Sequence, residues 1–347
     1  MADAFDCFSV LFAKDEVLLN GNAFPLGQCS VDILNLDDGI PAELDRRIGR
    51  LIPVVKDMLD KKTDSAARSA HEQLNAVWDM IFALPVYRTL ALDRGVAYDL
   101  FPFLLSDPES WAEMQDEHSE AHAMFQKLMD GLEYFPESLR VFRGQASGFL
   151  ELYVEPLKRR SVDAYAAAFA HYYGDMKAVE GLFSNDPFQQ SFPTELQFVP
   201  MARSGAHGKV ILGEQAAFSY LTHFLYADFY RGLMIGNAPR RCHNCGTYFL
   251  LTAGYNTCYC NNLAPGEVER TCRKVGAHKK EAQERVAATP AQKEYAKAYN
   301  RLKARKQRGK ISVDDWNAAV AKAQNLKAQT ERGELSDEEL HRQLEAL

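Results

Sequence analysis

The hydrophobic positions near the start of the chain follow the alternation of short β-strands. Apolar side chains alternate over residues 8–12 and recur over 17–19, and Asn20-Gly21 follows the second run. Asn-Gly next to apolar runs is the strongest short-range signal for a β-hairpin turn. We therefore predict a small β start that carries Cys7 and leads to Cys29. Both cysteines are expected to be buried thiols that behave as small hydrophobic side chains.

From residue 41 to about residue 183 the apolar positions recur with the period of an α-helix. The predicted helices cover residues 48–59, 64–84, 106–129 and 136–183. Pro53 is expected to kink or delay the first of them, and Ser106 is expected to cap the third ahead of Pro108. The fourth pattern breaks near Pro156.

A second hairpin is predicted where the apolar runs 196–200 and 209–212 flank a Gly-containing polar segment. A strongly amphipathic pattern then predicts a helix from Glu214 to Met234. The residues from Gly236 to Pro239 end that helix.

The C-terminal tail contains a short repeat. Gly309 and Ser312 are echoed by Gly333 and Ser336, and acidic residues follow each serine. In both copies the glycine is expected to end one helix and the serine to cap the next. The tail is therefore predicted to form three successive helices, the first of which is capped by Thr289 and ends at about Arg308.

These patterns predict a mainly α protein: an N-terminal helical bundle with small β hairpins, a zinc-knuckle module and a helical C-terminal tail. At 347 residues the chain is long enough for more than one domain. The predicted division is a β-hairpin start at 1–40, a helical bundle at 41–183, a hairpin, long helix and zinc module at 193–288, and a basic helix with a helical tail at 289–347.

Five of the seven cysteines lie between residues 242 and 272, which predicts a zinc site. Cys242 and Cys245 form a CxxC knuckle in which both sulfurs can face one ion, and Gly246 permits the tight turn that follows. Structural zinc sites need four ligands, so two more must come from the rest of the segment. The predicted ligands are Cys242, Cys245, Cys260 and Cys272.

Three other side chains are open alternatives for the last two ligand positions: Cys258, His243 and His278. Cys260 is favoured because it stands just before a loop, as in a second knuckle. Cys272 is favoured because it precedes a helical segment, whose N-terminus stabilises a thiolate.

The module resembles a known type of sequence. An aromatic-rich helix is followed by Asn-Ala-Pro-Arg-Arg-Cys242-His-Asn-Cys245-Gly-Thr-Tyr-Phe, by Tyr-Cys260, and by Thr-Cys272-Arg-Lys-Val-Gly-Ala-His. Over about residues 196–310 this order resembles an uncharacterised bacterial family of unknown function with a zinc-ribbon-like module. It is more distantly similar to the CGNR zinc-finger proteins, although the Cys-Gly-Asn-Arg signature is missing here. The resemblance implies zinc binding and a role in transcriptional regulation.

Charge is distributed unevenly along the chain. Residues 240–310 contain 16 basic and five acidic residues, a net charge of +11, whereas the remainder carries −18. A basic segment in an acidic protein suggests a polyanionic partner. The alternatives are that the basic residues form a solvated face or dock on the protein's own acidic part. The predicted nucleic-acid-binding residues are Arg240, Arg241, Arg273, Lys274, Lys279, Lys280, Lys297, Arg301, Arg305 and Arg308.

Catalytic motifs do not emerge from the sequence. Walker and dinucleotide loops and Gly-x-Ser-x-Gly are absent, and His118 and His122 lack the glutamate that a zincin needs. We therefore expect a non-enzymatic, cytoplasmic zinc protein that binds nucleic acid, most simply DNA, as a transcriptional regulator. The alternative is a zinc-stabilised scaffold that binds a protein partner through its C-terminal helices. No membrane partner is predicted.

Overall fold

The computed structural model describes residues 7–61, 63–90, 92, 94–95, 97–98, 106–178, 194–202, 210–278 and 288–347. The chain divides into two compact units, Met1–Cys260 and Asn261–Leu347. Helices dominate the described residues and small antiparallel sheets accompany them, which confirms the mainly α prediction. The finer division into four segments stays a prediction.

One five-stranded antiparallel sheet lies in the first unit, in the order β3-β2-β1-β5-β4. Its strands are β1 Phe8–Phe12, β2 Glu16–Leu19, β3 Asn22–Pro25, β4 Glu195–Ala202 and β5 Val210–Phe218. The turn between β2 and β3 places Asn20 and Gly21 at positive φ, as the Asn-Gly signal predicts. Pairing of β1 with β5 joins the two predicted hairpins into this sheet, with Phe8 opposite Phe218.

The predicted helix at 214–234 is wrong over its first residues, because β5 continues to Phe218. Ala216 and Phe218 are buried opposite β1, so long-range strand pairing outweighs the local helical pattern. The helix itself starts at Leu221.

Several helical segments accompany the sheet in the first unit. They are α1 Gln28–Leu34, α2 Gly39–Lys61, α3 Asp64–Ala83, α4 Pro85–Thr89, α5 Pro108–Gln115, α6 Glu120–Phe149, a π-helical turn Leu150–Val154, α7 Val162–Ala178 and α8 Leu221–Met234. The rings of Phe8, Phe218 and Phe224 lie 5.7–6.2 Å apart and tie the sheet to α8. Sheet and helices therefore share one hydrophobic core.

Several local predictions need correction. Asp107, and not Ser106, caps α5, since its side chain accepts a hydrogen bond from the Glu109 N–H. The predicted helix 106–129 is in fact two helices, because Ser119 caps a new one. Pro53 lies within a continuous α2. Cys29 is buried as expected, but Cys7 is exposed because it precedes the paired part of β1.

The C-terminal part of the second unit forms helices that pack on one another: α9 Pro290–Gln307, α10 Val313–Glu331 and α11 Asp337–Glu345. Thr289, Ser312 and Ser336 each cap a helix through the side-chain oxygen, and Gly309 and Gly333 have positive φ. The repeated stop-and-cap device is thus confirmed. Buried side chains from all three helices form a small core: Ala291, Ala298, Ala323, Leu326, Leu340 and Leu344.

Among the described helices, none is long and apolar enough to cross a membrane.

Candidate metal centre

A tight turn between two short strands presents the first pair of cysteines. Strands β6 Ala238–Arg241 and β7 Tyr248–Leu251 are antiparallel and pair Arg241 with Tyr248. At the start of the turn the Cys242 N–H donates to the Thr247 carbonyl at 2.9 Å, and the Gly246 N–H donates to the Cys242 carbonyl at 2.9 Å. Gly246 has φ 78°, which a side chain would strain. The knuckle geometry predicted for CxxC-Gly is therefore present.

The amide of Asn35, at the end of α1, holds β7 in place. Its Oδ1 accepts from the Tyr248 N–H and its Nδ2 donates to the Tyr248 carbonyl, both at 2.8 Å. A side-chain amide thus replaces the backbone partner that a neighbouring strand would offer. The knuckle is fixed to the helical part of the first unit.

Separate local hydrogen bonds position the two remaining cysteines, Cys260 and Cys272. The Cys260 N–H donates to the Cys242 sulfur at 3.4 Å. The Cys272 N–H donates to the Asn262 carbonyl at 2.8 Å, next to a bridge between Leu263 and Thr271. Helical residues 272–278 begin at Cys272, so its sulfur lies at a helix N-terminus as the sequence suggests.

The four predicted ligand sulfurs, those of Cys242, Cys245, Cys260 and Cys272, all lie within 4.8 Å of one another. The Cys245 and Cys260 sulfurs are 3.6 Å apart. Four sulfurs at about 2.3 Å from one zinc ion would be about 3.8 Å apart in a tetrahedron, whereas a disulfide needs about 2.05 Å. All seven cysteines are free thiols. The cluster therefore has the size of a metal site and can hold one ion.

Cys245 is the half-exposed member of an otherwise buried set. Burial is the largest single effect on the pKa of Cys245 and raises it. Four hydrogen bonds have the opposite effect on this pKa: they come from the Thr247 hydroxyl, the Thr247 N–H and the thiols of Cys242 and Cys260. Together they outweigh burial and lower the pKa of Cys245 to about 7. Donors aimed at a sulfur stabilise its thiolate, which is the form that binds a metal.

The three alternative ligands, His243, Cys258 and His278, are not part of the four-cysteine cluster. His243 Nε2 is 3.0 Å from Glu155 Oε1. The Cys258 carbonyl accepts a hydrogen bond from the His243 N–H at 2.9 Å. The Cys258 sulfur is not part of the four-cysteine cluster. His278 is exposed near the end of the described helical residues.

Glu155, which follows the π-helical turn, is an important side chain that the sequence reasoning missed. Its Oε1 contacts Arg240 at 2.9 Å and His243 at 3.0 Å, and its Oε2 contacts Arg160 at 3.0 Å. Burial raises the pKa of Glu155, but the contacts with Arg240, His243 and Arg160 outweigh it and hold this pKa below its ordinary value. The signal in the sequence for ion pairs of this kind was the contrast between the basic residues 240–310 and the acidic remainder of the chain.

The two arginines before the knuckle are engaged within the first unit. The Arg240 side chain is only 10% exposed, and it also donates to the Thr257 carbonyl at 2.9 Å. Arg241 pairs with Glu151 at 3.2 Å. For these two residues the structure therefore matches the alternative in which basic side chains dock on the protein's own acids.

The other predicted nucleic-acid-binding residues are differently placed. Arg273, Lys274 and Arg308 are exposed. Lys297 pairs with Glu294 at 2.7 Å. Arg301 donates to the Leu344 carbonyl, and Arg305 donates to the Leu347 carbonyl at 2.6 Å. Lys279 and Lys280 lie outside the described residues.

Comparison with protein-family models matches the C-terminal part of the chain. The model of a family of unknown function (DUF6076) matches residues 189–346, which include the cysteine cluster and the three tail helices. No similarity to a zinc-ribbon or CGNR family accompanies it. No curated protein and no solved structure matches the chain.

Proposed function

We propose that this chain is a zinc-stabilised nucleic-acid-binding protein that contacts DNA phosphates through the helical residues after Cys272, as a transcriptional regulator would. In this proposal the metal is structural and the chain acts by binding, without catalysis. The observation that carries the proposal is the position of Arg273 and Lys274. Both are exposed on the first turn of the helical residues 272–278, directly after a cysteine of the metal cluster.

Zinc is the metal that the donor set favours. Four cysteine sulfurs at near-tetrahedral spacing suit a soft, four-coordinate ion and leave no position open for substrate. The residues between β7 and Cys272 contain turns, bends and one isolated bridge in place of helix or strand. A metal ion can hold such a segment together where little core is available.

A helix anchored at a zinc ligand is suited to phosphate contact. Its backbone is held near Cys272, so Arg273 and Lys274 lose little conformational freedom when they bind a phosphate. The positive end of the helix dipole adds to their attraction for an anion. Arg240, Arg301 and Arg305 already bind other groups of the same chain. The residues proposed to contact DNA phosphates are therefore Arg273, Lys274 and Arg308.

The test measures binding of the full-length chain to a nonspecific DNA duplex by fluorescence anisotropy at several salt concentrations. We expect the wild-type affinity to fall steeply with salt. Arg273→Glu/Lys274→Glu should weaken binding at low salt by at least tenfold. The slope of log affinity against log salt concentration should also be shallower by about two, because two phosphate contacts are lost. Lys322→Glu, an exposed lysine of α10 outside the basic segment, is the matched control and should cost much less.

Equal affinity of the double variant and the control, with full zinc content in both, would refute this phosphate-contact role. Retention of single-stranded RNA in preference to DNA would assign the surface to a different nucleic acid.

A protein-interaction role is the second candidate. Leu196 and Phe198 of β4 are 50% and 58% exposed, which is unusual for large apolar side chains on a strand. Absence of DNA binding by a correctly folded, zinc-loaded chain would favour this candidate.

A further inference from the structure

One face of the five-stranded sheet changes from buried to exposed as it crosses from β1 to β4. Residues directly opposite each other in paired antiparallel strands lie on the same face. Val10 pairs with Ala216, and Ala216 pairs with Leu196, so these three side chains form a row. Val10 and Ala216 are 2% and 1% exposed, whereas Leu196 is 50% exposed.

The next row repeats the trend. Phe12 is opposite Glu214, and Glu214 is opposite Phe198; Phe12 is 1% exposed and Phe198 is 58% exposed. Further along β5, Leu212 and Val210 lie on the same face and are 72% and 70% exposed. Among the described residues, the core side of the sheet therefore extends beyond the elements that cover it.

This exposed region, the ribbon face, consists of six residues: Leu196, Phe198, Pro200, Ala202, Val210 and Leu212. Every one of them is apolar and exposed. Such a face keeps the two-residue period of a buried sheet surface, and it exposes roughly 600 Å². An apolar area of that size lies at the upper end for a monomer and indicates an interaction site.

We infer that the ribbon face binds the ribbon face of a second copy of this chain, forming a symmetric dimer. Two such faces together would bury roughly 1,200 Å², which is the lower limit for a specific interface. The contact is isologous, so each apolar row meets the same row of its partner, as in packed β-sheets.

The charges on and around this face agree with self-association. Glu214 is the ionisable residue that shares the face, and Arg231 pairs with it at 2.7 Å. Arg231 also stacks over the Phe12 ring at 4.3 Å. A second copy can therefore cover the face without burying an unpaired charge. None of the six residues of the ribbon face is a cation, so this face does not suit the phosphates of nucleic acid.

Face-to-face packing is also favoured over pairing at the strand edge. β4 is the edge strand of the sheet, but Pro200 has no N–H to donate to an added strand. Edge pairing would thus interrupt the ladder near the middle of β4, whereas packing of the faces needs no backbone donor.

Sedimentation velocity of the full-length, zinc-loaded chain between 1 and 100 µM tests the inference, which does not depend on the proposed DNA contact. We expect a monomer–dimer equilibrium with a micromolar dissociation constant. Phe198→Lys/Leu212→Lys should weaken dimerisation at least tenfold. Gln197→Lys, exposed on the opposite face of the same strand, should leave it unchanged, and so should Leu152→Lys, an exposed leucine of the π-helical turn.

A second measurement keeps the test valid if the double variant misfolds. Backbone amides of β4 and β5 in the wild-type chain should exchange with deuterium more slowly at 100 µM than at 1 µM. A wild-type chain that stays monomeric, or a folded double variant that dimerises like wild type, would overturn the inference. Slow exchange that is independent of concentration would do the same and would assign the face to another segment of the same chain.

Discussion

Asp228 of α8 accepts two hydrogen bonds from Ser30 of α1, 198 residues earlier in the chain. Its Oδ2 receives the Ser30 N–H at 2.9 Å and the Ser30 hydroxyl at 2.8 Å. Oδ1 receives the N–H of Gly27 at 2.8 Å, and the carboxylate is fully buried. One acidic side chain thus caps the first turn of α1 from a different helix, which local sequence could not indicate.

Replacing this carboxylate should destabilise the first unit. Asp228→Ala leaves the N–H groups of Gly27 and Ser30 without a buried acceptor, at a cost on the order of 3 kcal/mol in the free energy of unfolding. Ser30→Ala removes only the hydroxyl and should cost about 1 kcal/mol. Urea denaturation measures both. Asp130→Ala on the exposed surface of α6 is the control, and a loss as large as that of Asp228→Ala would contradict the capping role.

Stability should also depend on pH through Asp228. Burial is the largest effect and raises the pKa of Asp228 to about 6, although hydrogen bonds from Gly27 and Ser30 oppose it. In the unfolded chain the pKa of an aspartate is about 3.9. The folded state therefore binds this proton more tightly, and the linked stability is present below about pH 4 and is lost as the pH rises through about 6.

Comparison with Asp228→Asn isolates this dependence, because the amide does not titrate. The wild-type free energy of unfolding, minus that of the variant, should fall by about 1 to 1.5 kcal/mol between pH 5 and pH 8. Urea denaturation of both proteins at several pH values gives the difference. A difference that stays constant or rises with pH would contradict a raised pKa of Asp228 in the folded state.

The metal centre predicts one zinc ion per chain, held by four cysteines. Cys272→Ser should lose most of the bound zinc, because a hydroxyl is a poor replacement for a thiolate ligand. Cys258→Ser is the matched control, since Cys258 lies in the same segment but outside the cluster, and it should keep a full equivalent. Elemental analysis of the purified chains measures the content. Loss of zinc in Cys258→Ser and its retention in Cys272→Ser would reverse the ligand assignment.

Close contact between two backbones predicts an effect at Gly232 of α8. A Cβ at this position would lie 3.1 Å from the Leu26 carbonyl oxygen and 3.2 Å from the Gly27 backbone. Gly232→Ala should therefore force α1 and α8 apart and cost about 1 to 3 kcal/mol. Gly144→Ala in the middle of α6 meets nothing within 4 Å and should instead stabilise by about 0.5 to 1 kcal/mol. Thermal denaturation of both variants tests the contrast in sign.

Local patterns were sufficient wherever a structural element depends on its own residues. The Asn20-Gly21 turn, the serine caps at Ser312 and Ser336 and the Gly246 turn of the knuckle all follow from side chains that bond or bend the adjacent backbone. The cysteine cluster belongs to the same group, since spacing and flanking residues pointed to the four sulfurs that lie together. Short-range geometry leaves few alternatives at such positions.

Local patterns failed where a distant contact changes the outcome. Residues 214–218 have a pattern that suits a helix, but pairing with β1 makes them strand. At α5 the error is local, because Asp107, the neighbour of the predicted Ser106, provides the cap. Local sequence also did not indicate that Glu155 pairs with Arg240 at 2.9 Å in the folded chain.

The sequence by itself determined the helical class, the tail helices with their caps and the four cysteines that lie together, because each depends on the periodicity or spacing of nearby residues. Only the tertiary structure decided that two hairpins form one sheet, that Asp228 caps α1, that Glu155 neutralises Arg240, and that the apolar residues of the ribbon face are exposed. Those features join residues up to about two hundred positions apart. Their energies come from burial and pairing between elements, which a one-dimensional pattern does not record.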